Sequence, residues 1–343
     1  MCNIAAYVGN KNALPILLDM IKKQEGLNGG FYSGIATHDG ESIFYCKDVG
    51  DFANLEKRHS YSKLKGQLGL AHSRTQSGGD YHWAHPFVSE RDGEVQLAYV
   101  ANGGYGPFLC EMPRHVEIAE GLIRDGYEIP CKIIMEDDLY CRISSGESLH
   151  MSDVMCQLIY KNKKMGFDTA TAMARAFCEM PSEIVGLAIS RDEPDRISFS
   201  RINKPMFVGF DSDGAYLASC PIAFPKSVKK YQLIPKLSSG FVTRDRLEIK
   251  PYGAFPRKVR ALNERTLARA SLEITSLLEK QESGVRDIFK AVKRYLPKNE
   301  LLQVDAIVYT VLARLVSWNK IKFRSTRFTS RNEDAPLVLF SLK

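Results

Sequence analysis

Two groups of short strand-like segments, separated by helical segments, restrict the fold of the first 250 residues most strongly. Because a parallel sheet built from βαβ units needs strands and helices in regular alternation, this order argues against such a sheet. It predicts an α+β fold of layered sheets and helices. The apolar patterns predict strands at 2–10, 31–36, 42–46, 66–73 and 95–101, helices at 114–124, 152–163 and 168–179, and a second strand series from 184 to 249.

Capping residues predict where helices begin and end. Asn12 is expected to cap a helix over residues 13–25, with Gly26 as its stop. Ser152 and Asp168 are expected to cap the two later helices, since their side-chain oxygens can accept the first free backbone N–H groups.

The C-terminal region differs from the rest in charge. Residues 251–343 hold 18 lysines and arginines against nine acidic residues, whereas the net charge of the whole chain is only +7. The Pro- and Gly-containing run 251–256 marks the expected boundary between a domain of residues 1–250 and a basic helical domain of residues 251–343. Helical patterns followed by two strand-like runs, at 321–323 and 337–342, are similar to a small winged-helix unit.

The sequence also argues against several classes of protein. No apolar run approaches the roughly 20 residues of a membrane span, and the first ten residues lack the pattern of a signal peptide. The eight cysteines include no C-x-x-C pair, so a reducing, cytoplasmic setting is expected, with neither a disulfide framework nor a metal site. Since no phosphate-binding or dinucleotide-binding motif is present, no cofactor is expected.

Cys2 can become an N-terminal nucleophile. Methionine aminopeptidase commonly removes Met1 before a small residue, which would leave a thiol and a free α-amine on one residue. With a pKa of about 7.7–8.0, that amine can accept the thiol proton near neutral pH. The alternative is an ordinary buried cysteine.

Two loops carry further candidate groups. Arg74 follows a predicted strand in the run 69–79, and a guanidinium there can hold a carboxylate through two parallel hydrogen bonds. Asn102 and Gly103 can offer one side-chain amide and one backbone N–H to a developing oxyanion. Taken singly, the Asn-Gly pair is also typical of a hairpin turn, and a lone arginine of a solvated surface.

These motifs, together with Ala84-His85-Pro86-Phe87, resemble in order and spacing the class II glutamine amidotransferase domain, in particular the glutaminase half of glucosamine-6-phosphate synthases. The likeness covers roughly residues 2–250. It implies an N-terminal-nucleophile hydrolase with a four-layer αββα sandwich. The sugar-isomerase domains of those synthases have no counterpart here.

The resemblance implies a role for each matching residue. Cys2 would attack the side-chain amide of glutamine, directly after loss of its proton to the α-amine or through a bridging water, and form a thioester. Asn102 and Gly103 would stabilise the oxyanion. The residues expected near the substrate are Arg74 at its carboxylate, Ser77, His85, which with His72 matches a framework histidine, and Asp153 at its amino group.

The sequence departs from the family at several positions. Thr75 replaces a tryptophan, and the loop 77–85 is shorter. An ungapped match puts Met151 at the position of the acidic ligand for the substrate amine, whereas a small gap puts Asp153 there. Asp153 is favoured because an ammonium group needs a counter-charge, and Glu147 is the other acid at hand. If neither reaches the pocket, the substrate would be an amide other than glutamine.

The predicted function is therefore that of a glutaminase subunit that supplies ammonia to a separate synthase. The alternative is a degenerate binding protein that senses glutamine or a related metabolite. In that alternative the basic tail would contact a partner or, less favoured, nucleic acid. The tail residues proposed for that contact are Arg314, Lys320, Lys322, Arg324 and Arg327.

Overall fold

The computed structural model describes residues 2–76, 78–134, 140–253, 255, 259, 262–298, 300–330 and 333–343. The first part of the chain forms β1 (Asn3–Gly9), α1 (Ala13–Asn28), β2 (Tyr32–His38), β3 (Ile43–Val49), α2 (Phe52–Arg58), β4 (Leu68–Arg74), β5 (Phe87–Arg91), β6 (Glu94–Gly104), α3 (Met112–Arg124), β7 (Lys132–Ile133), β8 (Cys141–Arg142) and β9 (Ser148–Leu149). Two helices, α4 (Met151–Lys164) and α5 (Thr169–Glu179), come next.

A second strand series follows: β10 (Glu183–Ser190), β11 (Ile197–Arg201), β12 (Phe207–Phe210), β13 (Gly214–Ala218), β14 (Tyr231–Leu233), β15 (Ser238–Val242) and β16 (Leu247–Pro251). The C-terminal region forms α6 (Glu264–Lys280), β17 (Ser283–Gly284), α7 (Val285–Lys293), α8 (Val304–Ser317), β18 (Ile321–Ser330) and β19 (Glu333–Leu342).

Two large antiparallel sheets form the centre of the molecule. One has seven strands in the order β14-β12-β13-β1-β4-β2-β3, and the other has six in the order β16-β15-β11-β10-β6-β5. Strand β1 lies between β13 and β4 and pairs antiparallel with both. The predicted mixed fold with antiparallel sheets is confirmed.

The position of strand β1 explains why its sequence is one uninterrupted apolar run. Because successive side chains of a strand point to opposite faces, Ile4, Ala6 and Val8 pack in the cluster shared with the six-stranded sheet. Ala5 and Tyr7 face the other way, into the cluster that contains α1. Both faces of the strand are therefore buried, which an uninterrupted apolar segment satisfies.

Helices cover the outer faces of both sheets. Helix α1 contacts β1 and β4, while α4 contacts β5 and β6 and α5 contacts β11 and β15. The cluster beneath α1 also contains apolar residues of α6, α7, α8 and β19. The C-terminal region thus shares a hydrophobic core with the seven-stranded sheet. The predicted domain boundary stays a prediction; Pro251 ends β16, and parts of the run 251–256 lie outside the described residues.

Two predictions of helix ends are confirmed and two are wrong. The side chains of Asn12 and Asp168 cap α1 and α5 as expected. Helix α1 does not stop at Gly26 but continues to Asn28, and a Cβ on Gly26 would lie 2.6 Å from the carbonyl carbon of Leu337. Gly26 is therefore required by close packing. Helix α4 is capped by the Nδ1 atom of His150 and not by Ser152.

No helix among the described residues is long and apolar enough to cross a membrane. All eight cysteines are free thiols.

Candidate active site

Strand register brings Cys2 and Arg74 together. In the β1–β4 pair, Asn3 lies opposite Ser73 and Ile4 lies opposite His72. Since residues alternate between the two faces of a strand, Cys2 and Arg74 share the face of Ile4 and His72, which points to the six-stranded sheet. Strand β2 brings Tyr32 opposite Arg74 on the other side.

The thiol of Cys2 is partly buried, and its Sγ lies 3.8 Å from Oγ1 of Thr75. Burial opposes ionisation of this thiol, but the hydrogen bond and positive charge of His72 outweigh burial and lower the pKa of Cys2 to about 6. The Nε2 atom of His72 lies 3.0 Å from the carbonyl oxygen of Ala101 on β6. Because that carbonyl can only accept, Nε2 of His72 carries a proton.

Asn102 lies at the same end of the sandwich on β6. Its side chain is fully buried, and Nδ2 donates to Oγ of Ser219, 2.8 Å away. The same Oγ accepts a hydrogen bond from the backbone N–H of Ile4 at 3.0 Å, so Ser219 ties Asn102 to the start of β1. An amide nitrogen carries two hydrogens, and the second is available to an oxyanion.

Gly103 follows Asn102 and pairs with Ile184 of β10. A Cβ at this position would lie 2.5 Å from the carbonyl oxygen of Glu183, so the close pairing of the strands requires glycine. The residue itself is exposed at the end of the sandwich. The two predicted oxyanion residues therefore lie next to each other, one buried and one accessible.

The guanidinium of Arg74 is buried between two aromatic rings. It lies 4.7 Å from the centre of the Tyr32 ring and 5.6 Å from that of Trp83, and its residue is only 2% exposed. Its Nη atoms donate to the carbonyl of Gly78 at 3.4 Å and the hydroxyl of Tyr140 at 3.5 Å. None of the ion pairs among the described residues involves Arg74. A buried cation without a carboxylate partner favours an incoming anion.

Two buried histidines lie beside this arginine. His85 stacks on His72 with ring centres 3.9 Å apart, and His150 meets His85 edge-on at 5.5 Å. Burial, followed by the neighbouring positive charges, holds the pKa values of His85 and His150 well below the usual range. Among the described residues, neither ring nitrogen of His85 has a hydrogen-bond partner. These nitrogens are therefore neutral groups available to a ligand.

Asp153 is placed differently. Its carboxylate accepts hydrogen bonds from the backbone N–H of Cys131 and from Nε2 of Gln157, each at 3.3 Å. Burial raises its pKa, an effect that the nearby charge of Lys47 opposes. Asp153, Gln157 and Lys47 line a cavity of about 860 Å³ beside β3, β5 and α4. Among the described residues that line it, neither Cys2 nor Arg74 appears.

The predicted site residues thus divide into three groups. The structure brings together Cys2, Arg74, His85, Asn102 and Gly103. The hydrogen-bond partners of the Asp153 carboxylate, Cys131 and Gln157, lie outside that group, so its role at the substrate amine stays a prediction. Ser77 lies outside the described residues.

A buried carboxylate supports the strand of Arg74 from the opposite face. Oε1 of Glu25 accepts hydrogen bonds from Oγ of Ser73 at 2.9 Å, the backbone N–H of Phe52 at 3.0 Å and Oγ of Ser33 at 3.2 Å. Burial raises the pKa of Glu25 to about 7, although these hydrogen bonds oppose the change. Sequence reasoning missed Glu25 as a site residue because it reads as the last residue of an amphipathic helix.

Sequence reasoning also missed four other site residues. Their roles depend on contacts between distant segments, and no local spacing reveals such contacts. For Ser219 a signal existed, since the run Tyr216-Leu217-Ala218-Ser219-Cys220 is similar to one of the later strands of the family's domain. The four are Tyr32, Trp83, Tyr140 and Ser219.

Comparison with known proteins gives the same family. No protein-family model matches the chain. The glutamine--fructose-6-phosphate aminotransferase [isomerizing] of Francisella tularensis is 24% identical over 319 residues, which cover 92% of this chain and 45% of the relative. The chain therefore spans less than half the length of that relative.

Two solved structures share the fold. One is described as the allosteric regulatory enzyme of purine biosynthesis, with a TM-score of 0.58, 14% identity, and coverage of 96% of this chain and 67% of that chain. The other is the glutamine phosphoribosylpyrophosphate amidotransferase of B. subtilis, with a TM-score of 0.57, 16% identity, and coverage of 81% and 58%. The sequence and fold together identify the chain as a homologue of the glutamine amidotransferases, as predicted.

Proposed function

We propose that this protein hydrolyses the side-chain amide of glutamine through Cys2 and supplies the ammonia to a separate synthase. The observation that carries the proposal is the pairing of a thiol of lowered pKa with the buried, unneutralised guanidinium of Arg74 on one sheet face. An amide substrate with a carboxylate at its other end would be held by that guanidinium while the thiolate reaches its amide carbon.

The reaction would proceed in two halves. After removal of Met1, the α-amine of Cys2 takes the thiol proton, and the thiolate attacks the amide carbon. The oxyanion that forms accepts hydrogen bonds from Nδ2 of Asn102 and the N–H of Gly103. Collapse breaks the C–N bond, the amine returns the proton to the leaving group, and ammonia departs. Water then attacks the thioester, which releases glutamate and restores the thiol.

Two finer features of the fold support this proposal. The contacts of helices with the outer faces of two stacked sheets support the four-layer sandwich of N-terminal-nucleophile hydrolases. The C-terminal order of α6, β17, α7, α8, β18 and β19, with the sheet order β17-β19-β18, supports a winged-helix arrangement.

The test is glutamine hydrolysis by protein whose N-terminal residue has been determined by mass spectrometry. Cys2→Ala should reduce turnover at least 1,000-fold, since it removes the nucleophile. Cys110→Ala, at an exposed cysteine, should leave turnover unchanged. Persisting activity in Cys2→Ala would eliminate the mechanism.

The placement of Asp153 favours a second candidate, hydrolysis of an amide that lacks a free α-amine. Glutaramate, which has the carboxylate and amide of glutamine but no amine, distinguishes the two candidates. A kcat/KM for glutamine at least tenfold above that for glutaramate supports glutamine. A higher value for glutaramate supports the second candidate.

A nucleic-acid-binding tail receives less support. Three of the five cations proposed for that contact form ion pairs with carboxylates within the C-terminal region. Arg314 pairs with Glu264 at 2.7 Å, Arg324 with Glu282 at 2.5 Å, and Arg327 with Asp334 at 2.7 Å. A filter-binding assay at 50 and 200 mM salt that retains no DNA or RNA would eliminate this alternative.

A further inference from the structure

The C-terminal unit, defined as the described residues from 262 to 343, faces the rest of the molecule with its central helix. Helix α8 buries most of its residues, in the cluster that also contains α1. In a helix-turn-helix-type module, the corresponding helix must present a free face to a nucleic acid groove. A helix that is buried along its length instead serves contact within the protein.

The first polar contact of this unit, here called the helix contact, leads towards β6. This strand carries Asn102 and Gly103 and is here called the oxyanion strand. Asp305 at the start of α8 pairs with Lys204 at 2.7 Å, and Lys204 lies 3.7 Å from Glu183. All three side chains are less than 17% exposed. Nδ2 of Asn203 donates one hydrogen bond to the carbonyl of Leu302, at 3.1 Å, and one to the carboxylate of Glu183, at 2.8 Å. Asn203 therefore links these two residues.

Glu183 belongs to β10, the strand that pairs with β6, and β6 holds the oxyanion residues. In the β6–β10 pair, Glu183 lies opposite Gly104, and Ile184 lies opposite Gly103. The C-terminal unit is therefore two side-chain contacts from the backbone that carries the Gly103 N–H. Displacement of Glu183 would move that N–H relative to Cys2.

The second polar contact, here called the hairpin contact, leads to the strand of Arg74. Arg327 on β18 pairs with the buried carboxylate of Asp51 at 2.8 Å. Asp51 caps α2, and the next residue, Phe52, donates its N–H to Glu25, which holds Ser73. The hairpin contact is therefore linked to the hydrogen bonds of Glu25, which support the strand of Arg74 from the opposite face.

The hairpin also packs against the segment that leads into β2. A Cβ on Gly30 would lie 2.5 Å from Cδ of Pro336, so the two chains touch there. The N–H of Gly30 donates to Oγ of Ser73 at 2.8 Å, and the N–H of Phe31 donates to the carbonyl of Arg74 at 3.2 Å. The hairpin thus lies one residue away from hydrogen bonds that fix the backbone of Arg74.

We propose that the C-terminal unit is a positioning device for the active site, with two separable functions. Through Asp305 and Lys204 it fixes the strand of the oxyanion residues, and through Arg327 and Asp51 it fixes the strand that holds the substrate carboxylate. This inference rests on the proposed glutaminase function.

The two contacts should have different kinetic signatures. The oxyanion exists only after attack, so loss of the helix contact lowers kcat and leaves KM nearly unchanged. The substrate carboxylate is bound before attack as well as during it, so loss of the hairpin contact raises KM and leaves kcat nearly unchanged. If the two contacts had a merely structural role, their loss would not affect kcat and KM separately.

The experiment measures glutamine hydrolysis and amide hydrogen exchange in full-length variants. Asp305→Asn should lower kcat about tenfold and speed exchange in peptides covering residues 99–106, since small displacements of catalytic groups cost large factors in rate. Arg327→Gln should raise KM about tenfold and speed exchange in peptides covering residues 26–34. Arg327→Lys retains a cation at this position and should recover part of the lost KM.

Matched controls break ion pairs that lie within the C-terminal unit. Arg314→Gln separates α8 from Glu264, and Arg324→Gln separates β18 from Glu282. Both should keep the kinetic constants and exchange rates of the unaltered protein.

Three results would overturn the inference. The first is that Asp305→Asn and Arg327→Gln keep the kinetic constants and exchange rates of the unaltered protein. The second is that kcat and KM change by the same factor in each of these two variants. The third is that the two control variants show the same effects as Asp305→Asn and Arg327→Gln. If the unaltered protein hydrolyses no glutamine, the proposed function fails, and the exchange measurements alone decide the inference.

Discussion

Arg74 is the permanent positive charge at the centre of the site. The neighbouring His85 and His150 are neutral near pH 7, because burial holds their pKa values well below the usual range. Under the proposed function, recognition of a substrate carboxylate therefore depends on the guanidinium. Its plane is fixed by the rings of Tyr32 and Trp83, which limits the orientations that a bound carboxylate can take.

Arg74→Lys should raise KM for glutamine about 100-fold. A lysine ammonium cannot form two parallel hydrogen bonds to a carboxylate, and it leaves the space between the two rings unfilled. Steady-state kinetics check this expectation, with Arg91→Lys at an exposed arginine as the control. A KM within threefold of the unaltered value would show that Arg74 does not hold the substrate.

Glu25 should make the stability of the protein depend on pH. Its pKa is raised from 4.5 to about 7 by burial, so the folded state prefers the protonated carboxyl. The stability that this preference contributes is fully present below pH 4.5 and is lost as pH rises through 7, a loss of about 3 kcal/mol.

Glu25→Gln stays neutral and should not show that loss. Relative to the unaltered protein, its free energy of unfolding in urea should increase by about 3 kcal/mol between pH 4.5 and pH 8. Glu279→Gln, at an exposed position of α6, should show no such change. An equal free-energy difference at both pH values would contradict the raised pKa.

At the scale of elements, strand β2 and the loop before β5 form one wall of the site. The carbonyl oxygen of His85 packs directly against Gly34, where a Cβ would collide with it. On the neighbouring strand β3, the ammonium of Lys47 donates to the carbonyls of His82, Ala84 and Pro86. Close packing and these hydrogen bonds together hold His85 against His72.

Gly34→Ala should destabilise the protein by about 3 kcal/mol, because the new methyl group meets backbone that is held from both sides. Urea unfolding checks the value. Gly253→Ala is the matched control, since a Cβ there meets nothing within 4 Å. Equal stability of the two variants would show that the loop moves freely.

Most elements could be predicted from the sequence because apolar runs bounded by Gly, Pro and Asp mark their ends. Helix α2 was not predicted, since its seven residues are too few to show helical periodicity and only the cap at Asp51 marks it. The hairpin strands β18 and β19 extend well beyond the predicted apolar runs 321–323 and 337–342, because their polar residues are held by cross-strand pairing. The local sequence pattern indicates which residues are buried, but it does not indicate which strands pair.

At the scale of the whole molecule, the C-terminal region and the seven-stranded sheet share one hydrophobic cluster. Leu312 of α8 is fully buried in that cluster together with Met20 and Ile21 of α1. Motif order led to the prediction of Cys2, Arg74, Asn102 and Gly103 as site residues, and their roles stay predictions. The contacts of the C-terminal unit could not be predicted, because they join residues at least 99 positions apart.

Leu312→Ala should lower the stability of both parts of the molecule together, by about 3 kcal/mol. The chain has two tryptophans, Trp83 at the site and Trp318 in the C-terminal unit, so Trp318→Phe and Trp83→Phe backgrounds report on each part separately. Urea unfolding followed by fluorescence should give the same decrease in midpoint in both backgrounds. Different decreases would indicate two independently unfolding units.

The position of β1 within its sheet determines when a ribosome-bound chain can first become active. Its two neighbours come from residues 68–74 and 214–218, so one side of β1 remains unpaired until about residue 218 has left the exit tunnel. Ser219, which ties Asn102 to the start of β1, leaves the tunnel at the same stage. Under the proposed function, incomplete chains therefore release no ammonia, although Cys2 precedes both neighbouring strands of β1 in the sequence.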